Sequence, residues 1–304
     1  MWHLAGLLAG LAVLLFVLRA VLSDLPAVLA YDWRFRPGLL ALSSLLLLIE
    51  SPVYALALKV LVDNSALKLP LRTIYKALFL AQMGKYLPGK IWSVVGVAVL
   101  LKRRGGNAGR AAGAQVALAL IMSLCGLLYW GLAAILCGQR FEALALIAVG
   151  VLGIAALALP LRVLLERMAN ALLARMGRDP ILLEIDALTV LRSAGLSFVV
   201  WVLSGTSFWL LILSLIKVDP GQYAYIVRAF AASQLIGFWA LIVPGGLGVR
   251  EGTMTAFLAG LLGSSLAAAL SIAARLWSLV GDLMTFSLAL LLPEARNGAR
   301  DNGP

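Results

Sequence analysis

The sequence predicts an all-α polytopic membrane protein. Hydrophobic residues make up 62% of its 304 residues, charged residues only 13%, and the mean hydropathy is +1.01. No water-soluble core could bury that share of apolar side chains. A membrane-spanning helix needs about 20 mostly apolar residues. Six such runs occur, at 4–22, 38–61, 113–136, 143–165, 194–216 and 265–292. We therefore expect six spanning helices, the first of which is retained because it lacks the features of a cleaved signal peptide.

Two further apolar regions are interrupted near their middle. The region 73–101 contains Pro88-Gly89, and the region 223–262 contains Pro244-Gly245-Gly246. Such breaks leave backbone groups unpaired, which lipid does not tolerate unless the segment is buried in protein or lines a wet cavity. Both regions are therefore predicted to be re-entrant hairpins.

The two broken regions also predict an internal repeat. Each contains a glutamine, then the Pro-Gly break, then a basic residue, and each precedes a long helix rich in alanine and serine. With re-entrant hairpins, the second half starts on the opposite side of the membrane, as in the inverted repeats of secondary transporters. We assign residues 1–138 to the first membrane repeat, 139–293 to the second, and 294–304 to a polar C-terminal tail.

The charge distribution predicts the orientation of the chain. Lysine and arginine number 25 against 14 acidic residues, a net charge of +11. With the N-terminus inside, seventeen of the 25 basic residues lie on the inner side and six on the outer side. The positive-inside rule then places both termini in the cytoplasm. In the rival topology, 73–101 is a single kinked span and the N-terminus is outside, with a weaker charge bias. A basic excess on so apolar a chain indicates anionic inner-leaflet lipids as partners rather than nucleic acid.

The polar connection between the halves, residues 166–192, is predicted to lie on the membrane surface. Its apolar residues recur at helical spacing opposite Arg167, Arg175 and Arg178, which is typical of an amphipathic interfacial helix. A tether to the inner leaflet and a regulatory site are both compatible with this pattern.

Several kinds of chemistry are excluded by the residues available. His3 is the only histidine, and Cys125 and Cys137 lie within one apolar run. The sequence therefore predicts no metal site, no cofactor, no disulfide framework and no His-dependent catalysis. It also contains no P-loop, so any transport is either downhill or coupled to an ion gradient.

A few ionisable residues fall at membrane depth, where each costs at least ~2.5 kcal/mol on insertion scales. Glu50 lies within the second span and precedes Ser51-Pro52, whose proline should free a backbone carbonyl. Arg275 and Asp282 are seven residues apart and share a face of the last helix. Structural ion pairs and a substrate path with proton coupling at Glu50 and Asp282 are both open interpretations.

The segment from Pro244 to Gly252 is the most specific pattern. Gly245, Gly246 and Gly248 allow a tight turn, and a helix starting near Gly252 would present free N–H groups to an anion. Arg250 offers a bidentate fork for phosphate, and Glu251 could orient it or a neighbouring cation.

The first break carries comparable charges, because Lys85 and Lys90 bracket Pro88-Gly89. The two breaks therefore predict two phosphate contacts on opposing hairpins. Hairpins that need glycine only for close packing are the alternative.

These motifs carry a family resemblance. Gly-Lys-Tyr-Leu-Pro-Gly-Lys at 84–90, paired with Pro-Gly-Gly-Leu-Gly-Val-Arg-Glu-Gly at 244–252, resembles the flippase-like transmembrane domain of the lysylphosphatidylglycerol synthase family, which includes the YbhN-like proteins. The resemblance covers nearly the whole chain. It implies lipid translocation without the synthase activity of bifunctional members, since we expect no soluble synthase domain in so short a tail. Many members have an acidic residue where this chain has Gln115, which favours a neutral or anionic headgroup over a cationic one.

The leading functional prediction, which rests on this resemblance, is a flippase-like lipid transporter of the bacterial inner membrane that works by alternating access. Its cargo would be a phospholipid or a polyprenyl-phosphate-linked glycolipid, with the headgroup at Lys85, Lys90, Arg250 and Arg275. The alternative is a polytopic membrane glycosyltransferase, or an accessory subunit of one, using Asp24 and Asp32 of the first loop. A structural scaffold and, least favoured, a channel complete the options, and small-residue pairs such as Gly6 and Gly10 permit a homo-oligomer.

Overall fold

The computed structural model describes residues 31–63, 69–86, 91–104, 107–158, 170, 186–240 and 243–293. Within these ranges the chain forms nine α-helices and no strand. The helices are α1 (Pro37–Asp63), α2 (Leu71–Gln82), α3 (Ile91–Lys102), α4 (Ala108–Leu136), α5 (Arg140–Ala158), α6 (Ala187–Leu215), α7 (Tyr223–Trp239), α8 (Val249–Leu262) and α9 (Ser264–Leu291). Three short 3-10 turns complete the described structure, at Met83–Tyr86, Pro220–Gln222 and Pro244–Gly246.

Five helices are long and apolar enough to cross a membrane: α1, α4, α5, α6 and α9. They coincide with five of the six predicted spans, so the prediction of a multi-pass helical membrane protein is confirmed in these parts of the chain. The predicted span at 4–22 and the tail at 294–304 lie outside the described residues.

The connection between the halves ends at an earlier residue than predicted. Its first twenty positions, from 166 to 185, lie outside the described residues except for residue 170. Residues 187–192, which we assigned to the connection, belong instead to the first turns of α6. The helix begins there because the Asp186 carboxylate accepts a hydrogen bond from the Thr189 N–H at 2.6 Å and caps it.

The centre of the bundle is the antiparallel pair α1 and α6. Ser43 donates to the Ser207 carbonyl at 2.7 Å, and the Ser207 hydroxyl donates back to the Ser43 carbonyl. Further along, Ser193 donates to the Ala57 carbonyl at 3.2 Å. These small polar residues let the two backbones approach closely, as small residues do between helices in membranes.

The first broken region folds back on itself. A Cβ built on Gly96 of α3 would lie 2.8 Å from the Cβ of Ala81 near the end of α2. One built on Gly84 would lie 3.0 Å from the Cβ of Trp92. The residue of α3 that is contacted lies earlier in the helix as its partner lies later in the first arm, so α2 and α3 run antiparallel and the chain reverses direction between them.

The second broken region folds back in the same way. A Cβ on Gly260 of α8 would lie 3.2 Å from the Tyr225 hydroxyl at the start of α7, whereas one on Gly237 near the end of α7 would meet Arg250 at the start of α8. The two hairpins meet at their tips, where the turn Met83–Tyr86 contacts the turn Pro244–Gly246. Helix α9 packs against both hairpins, so it is placed to supply side chains to both tips.

Candidate functional site

The first hairpin tip is joined to α9 by an ion pair. Lys85, in the turn after α2, places its Nζ 2.7 Å from Asp282 Oδ1. The two side chains are 25% and 20% exposed. Both side chains are mostly enclosed by protein. Removing one of the two charges would therefore leave the other poorly solvated and without its partner, which is destabilising.

The second hairpin tip is joined to α9 at Arg275, about two helical turns before Asp282. The Arg275 guanidinium donates through Nη1 to the Gly245 carbonyl at 3.2 Å, and its Nε lies 3.5 Å from Glu251 Oε1. Arg275 and Asp282 therefore connect the face of α9 that they were predicted to share with both hairpins, one hairpin each.

The glycine-rich turn has the predicted backbone freedom. Gly245, Gly246 and Gly248 have φ angles of 58°, 66° and 80°, in the left-handed region that favours glycine. The predicted start of the following helix near Gly252 is wrong, because α8 begins at Val249. The cause is Glu251, whose Oε2 accepts the Gly248 N–H at 2.6 Å and caps the helix.

This cap refines the prediction of free N–H groups. The Gly248 N–H points at a carboxylate of the chain itself, so an external anion would have to compete with Glu251 for it. Glu251 is 3% exposed and also faces Arg275. Of the two roles that the sequence allowed for Glu251, the geometry favours orienting a neighbouring cation, Arg275, over orienting Arg250.

Arg250 packs across the end of α7. A Cβ added at Gly237 would lie 2.2 Å from Arg250 Cγ, so the absence of a side chain at 237 creates the space that Arg250 occupies. Gly246 in turn lets the second tip pack against the backbone of α7, because a Cβ at position 246 would lie 2.6 Å from the Gly237 carbonyl oxygen. The positive charge of Lys85 is close enough to those of Arg250 and Arg275 to be repelled by both. Three of the four predicted basic residues therefore converge where the tips meet.

Glu50 lies beside this cluster. Its carboxylate accepts a hydrogen bond from the Ser204 hydroxyl of α6, and it interacts electrostatically with Asp282. Pro52 has no N–H to donate to the Leu48 carbonyl, four residues before it. That carbonyl instead accepts a hydrogen bond from Ser51 Oγ at 2.8 Å, so the predicted freed carbonyl has a partner in the same helix.

Not all predicted site residues can be placed. Pro88, Gly89 and Lys90 lie outside the described residues, so the second lysine of the first hairpin stays a prediction. For Pro244 the backbone is described, within the 3-10 turn Pro244–Gly246.

Two contributors were not predicted from the sequence. Ser204 could have been found, because Ser204-Gly205-Thr206-Ser207 is a run of small and polar residues inside an apolar helix. Gly237 carries no such signal, since single glycines are common in membrane helices and only the fold brings Arg250 to it.

A second polar cluster, also missed, joins the two halves. Arg228 of α7 pairs with Glu142 of α5 at 2.5 Å and lies 5.3 Å from the ring centre of Phe257. Trp130 Nε1 donates to the same carboxylate at 2.7 Å. Opposite charges far apart in sequence give no pattern from which such a cluster could be predicted.

Removing only one partner of the Lys85 and Asp282 pair should destabilise the protein. We expect Lys85→Met to lower the free energy of unfolding by about 1–3 kcal/mol, less than for a fully buried pair because both side chains are partly exposed. The double variant Lys85→Met/Asp282→Leu should regain most of that loss, since no charge is left without its partner. Thermal unfolding in detergent measures both, and a double variant as unstable as the single one would contradict the pairing.

The sequence matches the model of a membrane protein family over most of its length. A family model described as the lysylphosphatidylglycerol synthase TM region matches residues 3–284, which include both hairpins and four of the five long apolar helices in full. Neither the curated proteins nor the solved structures contain a match to the chain. The family match spans most of the sequence and confirms the resemblance of its motifs: this chain belongs to the family of the lysylphosphatidylglycerol synthase TM region.

Proposed function

We propose that this protein is a lipid translocase of the bacterial inner membrane. Its cargo is a phospholipid or a polyprenyl-phosphate-linked glycolipid, whose phosphate binds between the hairpin tips while the hydrocarbon chains stay in the bilayer. The observation that carries the proposal is the convergence of Lys85, Arg250 and Arg275 where the two tips meet. Charges at membrane depth are costly, and in membrane proteins they commonly mark substrate or ion paths.

The dimensions of the hairpins support a site within the bilayer. The twelve residues of α2 measure about 18 Å and the seventeen of α7 about 26 Å. Both are shorter than the ~30 Å hydrocarbon core. Two such hairpins, entering from opposite sides, bring their tips together at depth, as the broken helices of transporters do.

The order of elements supports an inverted repeat. In the first half a long helix, α1, is followed by the hairpin α2–α3 and the long helix α4. In the second half α6, the hairpin α7–α8 and α9 follow the same order. Because α1 and α6 run antiparallel, equivalent elements of the two halves point in opposite directions, and rocking of one repeat against the other provides alternating access.

The ion pairs explain how the empty site is tolerated. Without cargo, Asp282 and Glu251 neutralise Lys85 and Arg275. A phosphate that enters replaces these carboxylates as the partner of the cations, and its departure restores the pairs. The transporter therefore returns empty without leaving isolated charges in a medium of low dielectric constant.

The released carboxylates offer a route for coupling. Asp282 interacts electrostatically with Glu50, so a proton taken up by either acid relieves the repulsion between them when Lys85 turns to the cargo. Transport in this proposal is either downhill or driven by a proton gradient through Glu50 and Asp282.

Reconstitution into liposomes tests the proposal. We expect the purified protein to move labelled phosphatidylglycerol or a labelled polyprenyl phosphate between leaflets, and Glu50→Gln to remove any acceleration by a proton gradient. Glu142→Gln is the matched control, because Glu142 pairs with Arg228 away from the tips. We expect this variant to keep the response to the gradient. No movement of any phosphate-bearing lipid, with or without a gradient, would contradict the proposal.

A membrane glycosyltransferase or an accessory subunit remains the alternative. Its candidate acid Asp32 has an 82% exposed side chain and lies 3.3 Å from the Arg34 guanidinium, and Asp24 lies outside the described residues. Loss of function in Asp32→Ala together with normal function in Arg250→Ala would favour this alternative over translocation.

A further inference from the structure

A second basic cleft lies at the base of the first hairpin, far from the tips. It is bounded by α2, the end of α3 and Pro293, which lies two residues beyond the end of α9. Arg72, Lys76 and Arg104 line it, together with Ala77, Leu80 and Leu100. About 20 Å of helix separates Arg72 from the Lys85 tip, so the cleft is not part of the site proposed for transport.

The polarity of the cleft changes with depth. Arg72, Lys76 and Leu80 are spaced four residues apart and form one stripe along α2, from its first turn inwards. On the opposite wall, Leu100 lies within α3 and Arg104 in the turn just beyond it. Cations therefore lie towards the mouth of the cleft, and Leu80 and Leu100 each lie about 6 Å deeper than the nearest cation on the same wall.

Lys76 already has one partner within the chain. Its Nζ donates to the Leu292 carbonyl at the end of α9 at 3.0 Å. An ammonium group has three donors, so it can hold this carbonyl and still donate to an anion. The contact also fixes the end of α9 as a wall of the cleft.

We propose that this cleft binds an anionic phospholipid of the inner leaflet. The phosphodiester lies at Arg72, Lys76 and Arg104, and the start of an acyl chain lies along Ala77, Leu80 and Leu100. A free phosphate ion would use only the mouth, whereas the graded lining matches a molecule that is anionic at one end and apolar at the other. The base of this hairpin is the end that the charge distribution assigns to the cytoplasmic surface, where anionic headgroups accumulate. The site is independent of the proposed translocation.

Native mass spectrometry of the full chain in detergent tests this site, with dioleoylphosphatidylglycerol and dioleoylphosphatidylcholine as probes. We expect Arg72→Gln/Arg104→Gln to weaken phosphatidylglycerol binding about tenfold, because two cations near the phosphate are lost. The matched control is Lys102→Gln/Arg103→Gln, which removes the same charge from exposed neighbouring residues outside the cleft. That control should change binding less than about twofold.

Three results would overturn the proposal: equal losses in the two variants, equal binding of the two lipids by the wild type, or displacement of the lipid by excess inorganic phosphate. Should Arg72→Gln/Arg104→Gln unfold, the wild type still decides, since a diazirine on the acyl chain must label Leu80 or Leu100. Labelling confined to the hairpin tips would contradict the cleft and leave the translocation proposal intact. Conversely, an inactive transporter that is labelled at the cleft would contradict only the proposed function.

Discussion

Replacing Arg250 with glutamine is expected to reduce lipid translocation by about tenfold to a hundredfold, because the cargo phosphate loses a charge-assisted, bidentate contact. The fold should survive, since the side chain at 250 keeps its aliphatic stem over Gly237. Arg250→Lys should lie between the wild type and glutamine, since it keeps the charge but loses the planar fork. Leaflet exchange of labelled lipid in proteoliposomes measures the three rates.

Arg140→Gln provides the matched control. Arg140 begins α5 in an exposed position, so its loss removes one positive charge without touching either hairpin. We expect an unchanged rate for this variant. Equal rates for Arg250→Gln and the wild type would show that the cargo does not use this residue.

Gly237→Ala should impair transport although it adds only a methyl group. That Cβ would lie 2.2 Å from Arg250 Cγ, so the arginine must leave its position at the tips. We expect at least a tenfold loss of translocation and a loss of about 1–3 kcal/mol in unfolding free energy, as for other overpacked sites. Transport and thermal unfolding are measured on the same preparation.

Gly195→Ala is the control for the helical effect of alanine. Gly195 lies in α6, and a Cβ there meets nothing within 4 Å. Alanine is a better helix former than glycine by about 1 kcal/mol, so this variant should be as stable as the wild type or slightly more so. Normal transport in Gly237→Ala would mean that the position of Arg250 against α7 is not needed.

Much of the fold can be predicted from local pattern. Apolar runs of spanning length predict α1 and α4 to within a few residues, because burial in lipid requires the same composition whatever the neighbours. The breaks in the two hairpins are equally visible, since proline and glycine act on the backbone locally. The start of α8 is not, because the reach of Glu251 back to Gly248 extends the helix three residues before the expected position.

The site, too, can be predicted from local pattern only in part. Spacing on a single helix is enough to place Arg275 and Asp282 on a shared face. Their pairing with Glu251 and Lys85 depends on the packing of α9 against both hairpins, which no single-helix pattern contains. Gly237, thirteen positions before Arg250, makes room for it only because glycine has no side chain.

The binding of a lipid phosphate between the meeting hairpin tips underlies the proposed function. An experimental structure of the protein in a lipid nanodisc tests it most directly. We expect phosphate density between Lys85, Arg250 and Arg275, continuous with hydrocarbon density that leads to the bilayer, with Asp282 displaced from Lys85. Lipid-filled nanodiscs in which the tips hold no phosphate, and Lys85 and Arg275 keep only their carboxylate partners, would contradict it.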